Sequence, residues 1–291
     1  MTALSVLLVL LSAVAHSSWN LLLKRAGDPE VFAWCLLIVA SVLLAPVGLA
    51  LLWYNSVGLS GLWFLLATIV LHVLYFNLLA RGYSQGDLSL VYPVARGIGP
   101  MLVPVLAVIF LDETIKPLAI AGISAIIVGI YTISWWGYFH QVLRSPLLFF
   151  KSAGMRYAVL TGLTIAAYSI VDKEGVGHVQ PLLYMYFLGT GTALMLAPYI
   201  LAQKGAAAVK AEWRANALPI TVAGLLTFAA YGLALTAFSL SRVSYVSPAR
   251  EVGIVIGVMM GVFLLKEPFG GGRMLGSSFV VGGVVMIALS P

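Results

Sequence analysis

The 291-residue chain is 62% apolar and 9% charged, with a mean hydropathy of +1.05; one water-soluble core cannot enclose that much apolar surface, so the composition is that of a membrane protein. The net charge of +6 does not point to nucleic acid, because the basic residues are spread over short loops between apolar runs. The single cysteine, Cys35, lies in an apolar segment, which excludes a disulfide framework and a thiolate metal cluster.

Taken as spans of about 20 apolar residues, the chain holds ten, at residues 2–23, 31–53, 61–80, 88–111, 117–136, 155–171, 181–202, 216–238, 243–265 and 273–290. The first has no basic residue before it and carries a pattern that recurs in the second half, so it reads as a retained helix rather than a cleaved signal peptide. On it, His16, Trp19 and Asn20 share one helical face, as His72, Tyr75 and Phe76 do on the third span. The fourth span places Tyr92 and Arg96 four residues apart, with Pro93 before the arginine and Pro100 and Pro104 after it. Those prolines free backbone carbonyls and predict a kinked helix lining a cavity or a neighbouring helix.

A polar-flanked break, Gly137–Gly154, contains His140, Arg144 and Lys151 and reads as the linker between a first half, residues 1–136, and a second, 155–291. Asp172, Lys173 and Glu174 fall just past the sixth span and read as loop charges, and Lys204–Arg214 reads as a short amphipathic loop. Tyr168, Tyr184, Tyr186 and Tyr231 read either as cavity walls or as interfacial belts. The ninth span holds Ser247, Arg250 and Glu251, the last the only acid inside any of the ten spans. Gly253, Gly257 and Gly261 then form a ladder suited to close helix packing, expected within the molecule rather than in a dimer.

The two halves repeat one pattern. Leu88–Glu113 returns as Val243–Glu267: Ala95 and Arg96 match Ala249 and Arg250, and Gly99, Glu113, Gly122 and Gly129 match Gly253, Glu267, Gly276 and Gly283 at one constant offset. Trp19, Asn20 and Lys24 likewise fall where Tyr168, Ser169 and Lys173 fall. Five spans per half is an odd number, so the second half must enter the membrane from the opposite side. The expected fold is therefore an all-α membrane protein, ten transmembrane helices in two inverted five-helix repeats.

An arginine at membrane depth costs at least ~2.5 kcal/mol and is retained where it is paired or faces water. Inverted symmetry crosses the fourth and ninth helices near the midplane, so Arg96 and Arg250 are expected to flank one cavity, where a guanidinium fork suits a carboxylate, phosphate or phosphonate. The competing reading is structural, with Glu251 neutralising one arginine permanently. The candidate substrate-binding residues are Arg96, Arg250, Tyr92, Trp19, Asn20, Tyr75, Tyr168 and Ser247, and the candidates for proton coupling are Glu251, His16 and His72. No phosphate-cradling glycine loop, nucleophile–base arrangement or metal-ligand spacing is present, so neither catalytic residues nor a metal site are expected.

Of the sixteen basic residues, eleven, from Lys24 and Arg25 to Lys266 and Arg273, fall on one set of alternate loops and three, Lys116, Lys173 and Arg242, on the other. By the positive-inside rule the first set is cytoplasmic and both termini are external.

The two five-helix repeats, the aromatic-to-lysine pattern ending helices one and six, and Glu113 and Glu267, each after an apolar run and before a glycine-rich helix, resemble the EamA-like branch of the drug/metabolite transporter superfamily. The resemblance covers essentially the whole chain and implies secondary transport of small metabolites, often export, without a bound cofactor. Joined to the arginines, it gives a multi-pass protein of the bacterial inner membrane, monomer or homodimer. Its expected cargo is a small anionic solute such as an amino acid, organic acid or phosphonate, moved by alternating access, with protons as a coupling ion and no nucleic-acid partner. The alternatives are a flippase for a lipid-linked anionic head group and a non-transporting membrane subunit or sensor.

Overall fold

The computed structural model describes residues 1–85, 88–136, 152–265 and 270–290, without the side chains of 83–84, 88–93 and 264–265. The linker up to Lys151, Glu267 and the side chain of Tyr92 lie outside the described residues. Among the described residues there are twelve helices: α1 (Ala3–Leu23), α2 (Pro29–Leu43), α3 (Ala45–Tyr54), α4 (Leu59–Gln85), α5 (Leu88–Leu111), α6 (Pro117–Trp135), α7 (Ala153–His178), α8 (Pro181–Gln203), α9 (Gly205–Leu240), α10 (Val243–Ala249), α11 (Val252–Leu265) and α12 (Gly271–Leu289).

Among the described residues, nine stretches are long and apolar enough to cross a membrane, and ten if α2 and α3 are one span bent by 55°. That bend has a local cause. Pro46 stands in the first turn of α3; without an N–H and with its ring against the carbonyl four residues back, it ends α2 at Leu43. α5, by contrast, stays one helix through Pro100 and Pro104. Gly97 and Gly99 let its neighbours brace it closely: a Cβ at either would come within 2.8 Å of Tyr131 Oη or Ile165 Cγ2. The break in helical hydrogen bonding falls in the second repeat instead, between α10 and α11.

The chain forms two compact units, Met1–Val6 with Leu74–Ile170 and Ser241–Pro291, and Leu7–Val73 with Val171–Leu240, so each unit takes helices from both sequence halves. In the first unit, α6 and α12 meet backbone to backbone. A Cβ on Gly122 would lie 2.6 Å from the Gly283 carbonyl oxygen, and one on Gly129 2.6 Å from that of Gly276. The earlier glycine of one helix meets the later glycine of the other, so these two repeat-equivalent helices run antiparallel, as inversion requires. In the α11 ladder, the position of Gly257 has no atom of a neighbour within 4 Å of a built Cβ.

In the second unit, α2, α8 and α9 pack together. Trp34 Nε1 donates to the Ala193 carbonyl at 2.9 Å, Ser12 Oγ of α1 to the Ala230 carbonyl at 2.6 Å, and Gly224 admits the Leu36 carbonyl. Residues 205–214, read from the sequence as a loop, are helical; α9 is interrupted only at Asn216 (φ −132°, ψ 25°). The buried Glu212 carboxylate explains that surface turn. It accepts from Asn216 Nδ2 at 2.7 Å and from the Asp28 N–H at 3.0 Å.

Candidate functional site

Glu251 in the first unit and Asp172 in the second are buried carboxylates, each with a shell of polar groups. In the first unit, Glu113, from the turn after α5, caps α10. Its Oε1 accepts the Val243 N–H at 2.8 Å and its Oε2 the Ser244 N–H at 3.0 Å, with the Ser244 hydroxyl donating to the same oxygen. A carboxylate on these first N–H groups satisfies donors that no helix can satisfy internally and complements the positive helix end. At the other end of α10 the backbone tightens. Glu251 N–H donates to Pro248, Gly253 to Arg250 and Ile254 to Glu251, each three residues back. That short 3₁₀-type turn separates α10 from α11.

On this turn Glu251, 7% exposed, turns to the arginine of the other repeat. One guanidinium nitrogen, Arg96 Nη2, reaches Oε2 at 2.9 Å and Oε1 at 3.2 Å. Glu251, next to Arg250 in sequence, is paired with Arg96, the contact of the competing reading in which the acid neutralises one arginine. Arg250 closes α10 with its N–H on the Val246 carbonyl, and Ser247 is buried on the same helix. Tyr75 and Tyr168 meet edge to face at 6.0 Å. All of these belong to the first unit.

The second unit contains the carboxylate that sequence reading placed in a loop. Asp172 is inside α7, is fully buried, and accepts hydrogen bonds from two other helices. Tyr184 Oη of α8 donates to Oδ1 at 2.9 Å, and Tyr231 Oη of α9 donates to Oδ2. His72, 8% exposed, stands one turn further along α4. Its Nδ1 is 2.9 Å from the Thr68 carbonyl oxygen and 3.1 Å from Thr68 Oγ1, and its ring meets that of Tyr231 edge to face at 5.6 Å. A carbonyl only accepts, so Nδ1 carries a hydrogen. Lys173 Nζ turns away to the Phe238 carbonyl at 2.6 Å, near the C-terminal end of α9 where a cation is favourable.

Three other predicted residues lie in this unit. Trp19 stands edge to face against His16 at 5.3 Å. Asn20 Nδ2 donates to the His16 carbonyl at 2.7 Å, which ties its amide to its own helix. Asp172 and the tyrosines that hold it were missed as a group, although a signal existed: the sixth span, drawn as 155–171, is shorter than the roughly 20 residues a bilayer needs. Extending it by one turn takes in Asp172.

A family model for the EamA-like transporter family matches residues 3–135 and 152–289, one copy on each half. The chain belongs to the EamA-like transporter family and is a multi-pass membrane transporter of small molecules. A solved crystal structure, 16% identical over 98% of this chain and 97% of its own, has a similar fold, with a TM-score of 0.75.

Proposed function

We propose that the protein is a secondary transporter, working as an exporter in the bacterial inner membrane, for a small organic solute with an anionic group such as an amino acid, organic acid or phosphonate. Arg96 and Arg250 bind that group and the two halves alternate access around it. Tyr92, Ser247 and the Tyr75–Tyr168 pair belong to the same unit and line the solute's path. The observation that carries this reading is the Arg96–Glu251 pair. An arginine at membrane depth already holds a carboxylate, through one guanidinium nitrogen, so an incoming carboxylate or phosphonate offers the chemistry that Glu251 supplies.

The test is a thermal-shift screen of the purified chain against amino acids, organic acids, organic phosphates and phosphonates, since a ligand that prefers the folded state raises the melting temperature by linkage. Anionic solutes are expected to raise it, and Arg96→Lys to weaken that response by about 1–3 kcal/mol, the range for charge-assisted hydrogen bonds. Stabilisation only by cationic or neutral solutes overturns the anion reading. The charge asymmetry of the loops places both termini outside; a cysteine at Ser152 is then labelled only by membrane-permeant reagents.

A further inference from the structure

We propose that the Asp172 carboxyl, with His72 beside it, is a proton-binding site of this transporter and carries the coupling proton. The coupling clause rests on the transport reading above; the proton site does not.

The argument starts from what surrounds the carboxylate. Its hydrogen bonds come from Tyr184 on α8 and Tyr231 on α9, both neutral donors. Among the described residues no lysine or arginine forms an ion pair with it. On its own helix the Lys173 ammonium is directed to the Phe238 carbonyl. The titratable ring beside this cluster is His72 of α4, packed edge to face on Tyr231. A fully buried carboxylate lacking a guanidinium or ammonium partner is costly in the ionised form. That cost falls if a proton sits on Oδ or if His72 is the imidazolium. Both arrangements keep every heavy atom in place, because the hydroxyls of Tyr184 and Tyr231 can turn to accept instead of donate. A purely structural network has no need of such a choice.

The test uses the full-length protein in lipid. Infrared difference spectra between low and high pH are expected to contain the C=O stretch of a buried carboxylic acid that is present in wild type and in Glu251→Gln and lost in Asp172→Asn. Tyr231→Phe, which removes one donor to the ionised form, should move the midpoint of that band to higher pH, a change a merely structural tyrosine would not produce. A band that survives in Asp172→Asn, or a midpoint unmoved in Tyr231→Phe, overturns the proton site. In proteoliposomes with aminomethylphosphonate as probe, wild type should accumulate it under a pH gradient, whereas Asp172→Asn should exchange it without accumulation. Gradient-driven accumulation by Asp172→Asn overturns the coupling role. No uptake by wild type counts against the anion reading alone and leaves the infrared result to decide the proton site.

Discussion

Glu251 and Asp172 are buried acids in apolar helices, 7% and 0% exposed, and their surroundings solve the same desolvation problem by different means. Glu251 faces a guanidinium, and the pair is a unit that fails if one member is lost. Asp172 faces two phenols, a threonine and a histidine, groups that stabilise an anion without demanding one. The first arrangement suits holding or exchanging an anion, and the second suits changing protonation. The transporter keeps these two chemistries in separate compact units.

The largest expected effect breaks the first arrangement. Arg96→Ala strands Glu251 and should lower stability by about 3–5 kcal/mol, read as a drop in melting temperature of the purified protein. The double variant Arg96→Ala with Glu251→Gln should recover much of the loss, because no charge is left unpaired. If the single and double variants melt together, the pair contributes nothing and the contrast with Asp172 disappears.

A smaller effect is expected at the second carboxylate. Tyr184→Phe removes one neutral donor, and Tyr231 still donates to Asp172, so the loss should be about 1–2 kcal/mol. A loss as large as that of Arg96→Ala would mean that Asp172 depends on its hydroxyls as Glu251 depends on its cation. The thermal melt that measures the first variant measures this one.

The transmembrane spans were legible because burial in lipid demands apolar length, which hydropathy reports directly, and the inversion followed from an odd number of helices per half. Identity of the partners was less legible. Asp172-Lys173-Glu174 looks like a loop by composition, yet α7 continues to His178, so Asp172 turns inward and Lys173 reaches the Phe238 carbonyl near the end of α9. Arg250 and Glu251 are adjacent in sequence, and nothing local reveals that the tightened turn presents the acid to Arg96, 155 residues away. Among glycines, Gly122 and Gly129 were visible as repeat markers, but their role needed the facing carbonyls of Gly283 and Gly276.

The smallest expected effect comes from a surface carboxylate that serves as a control for both. Asp28 caps α2, accepting the Glu30 and Val31 N–H groups at 3.1 and 3.2 Å, and pairs with Lys204 at 3.0 Å, about a third of its side chain remaining exposed. Partial burial pushes its carboxyl up, but the Lys204 hydrogen bond, the two capping N–H groups and the Lys204 charge outweigh this and hold it below the ordinary value. Asparagine caps as well as aspartate, so Asp28→Asn isolates the charge, and the loss at neutral pH should stay below about 1 kcal/mol. A carboxylate lowered by folding contributes stability above its unfolded value, about 3.9, and loses it as the pH falls through the lower folded value. The Lys204 ammonium is raised by Asp28 and Glu30 despite some burial, so its contribution is present below the unfolded lysine value and is lost as the pH rises through the higher folded one. Melting curves of wild type and Asp28→Asn should therefore separate on a plateau between those limits, converge at acid pH, and converge again in high salt, where an exposed pair is screened. A gap that persists in acid or in salt would assign Asp28 the same internal character as Glu251, and exposure would no longer distinguish the surface acid from the buried ones.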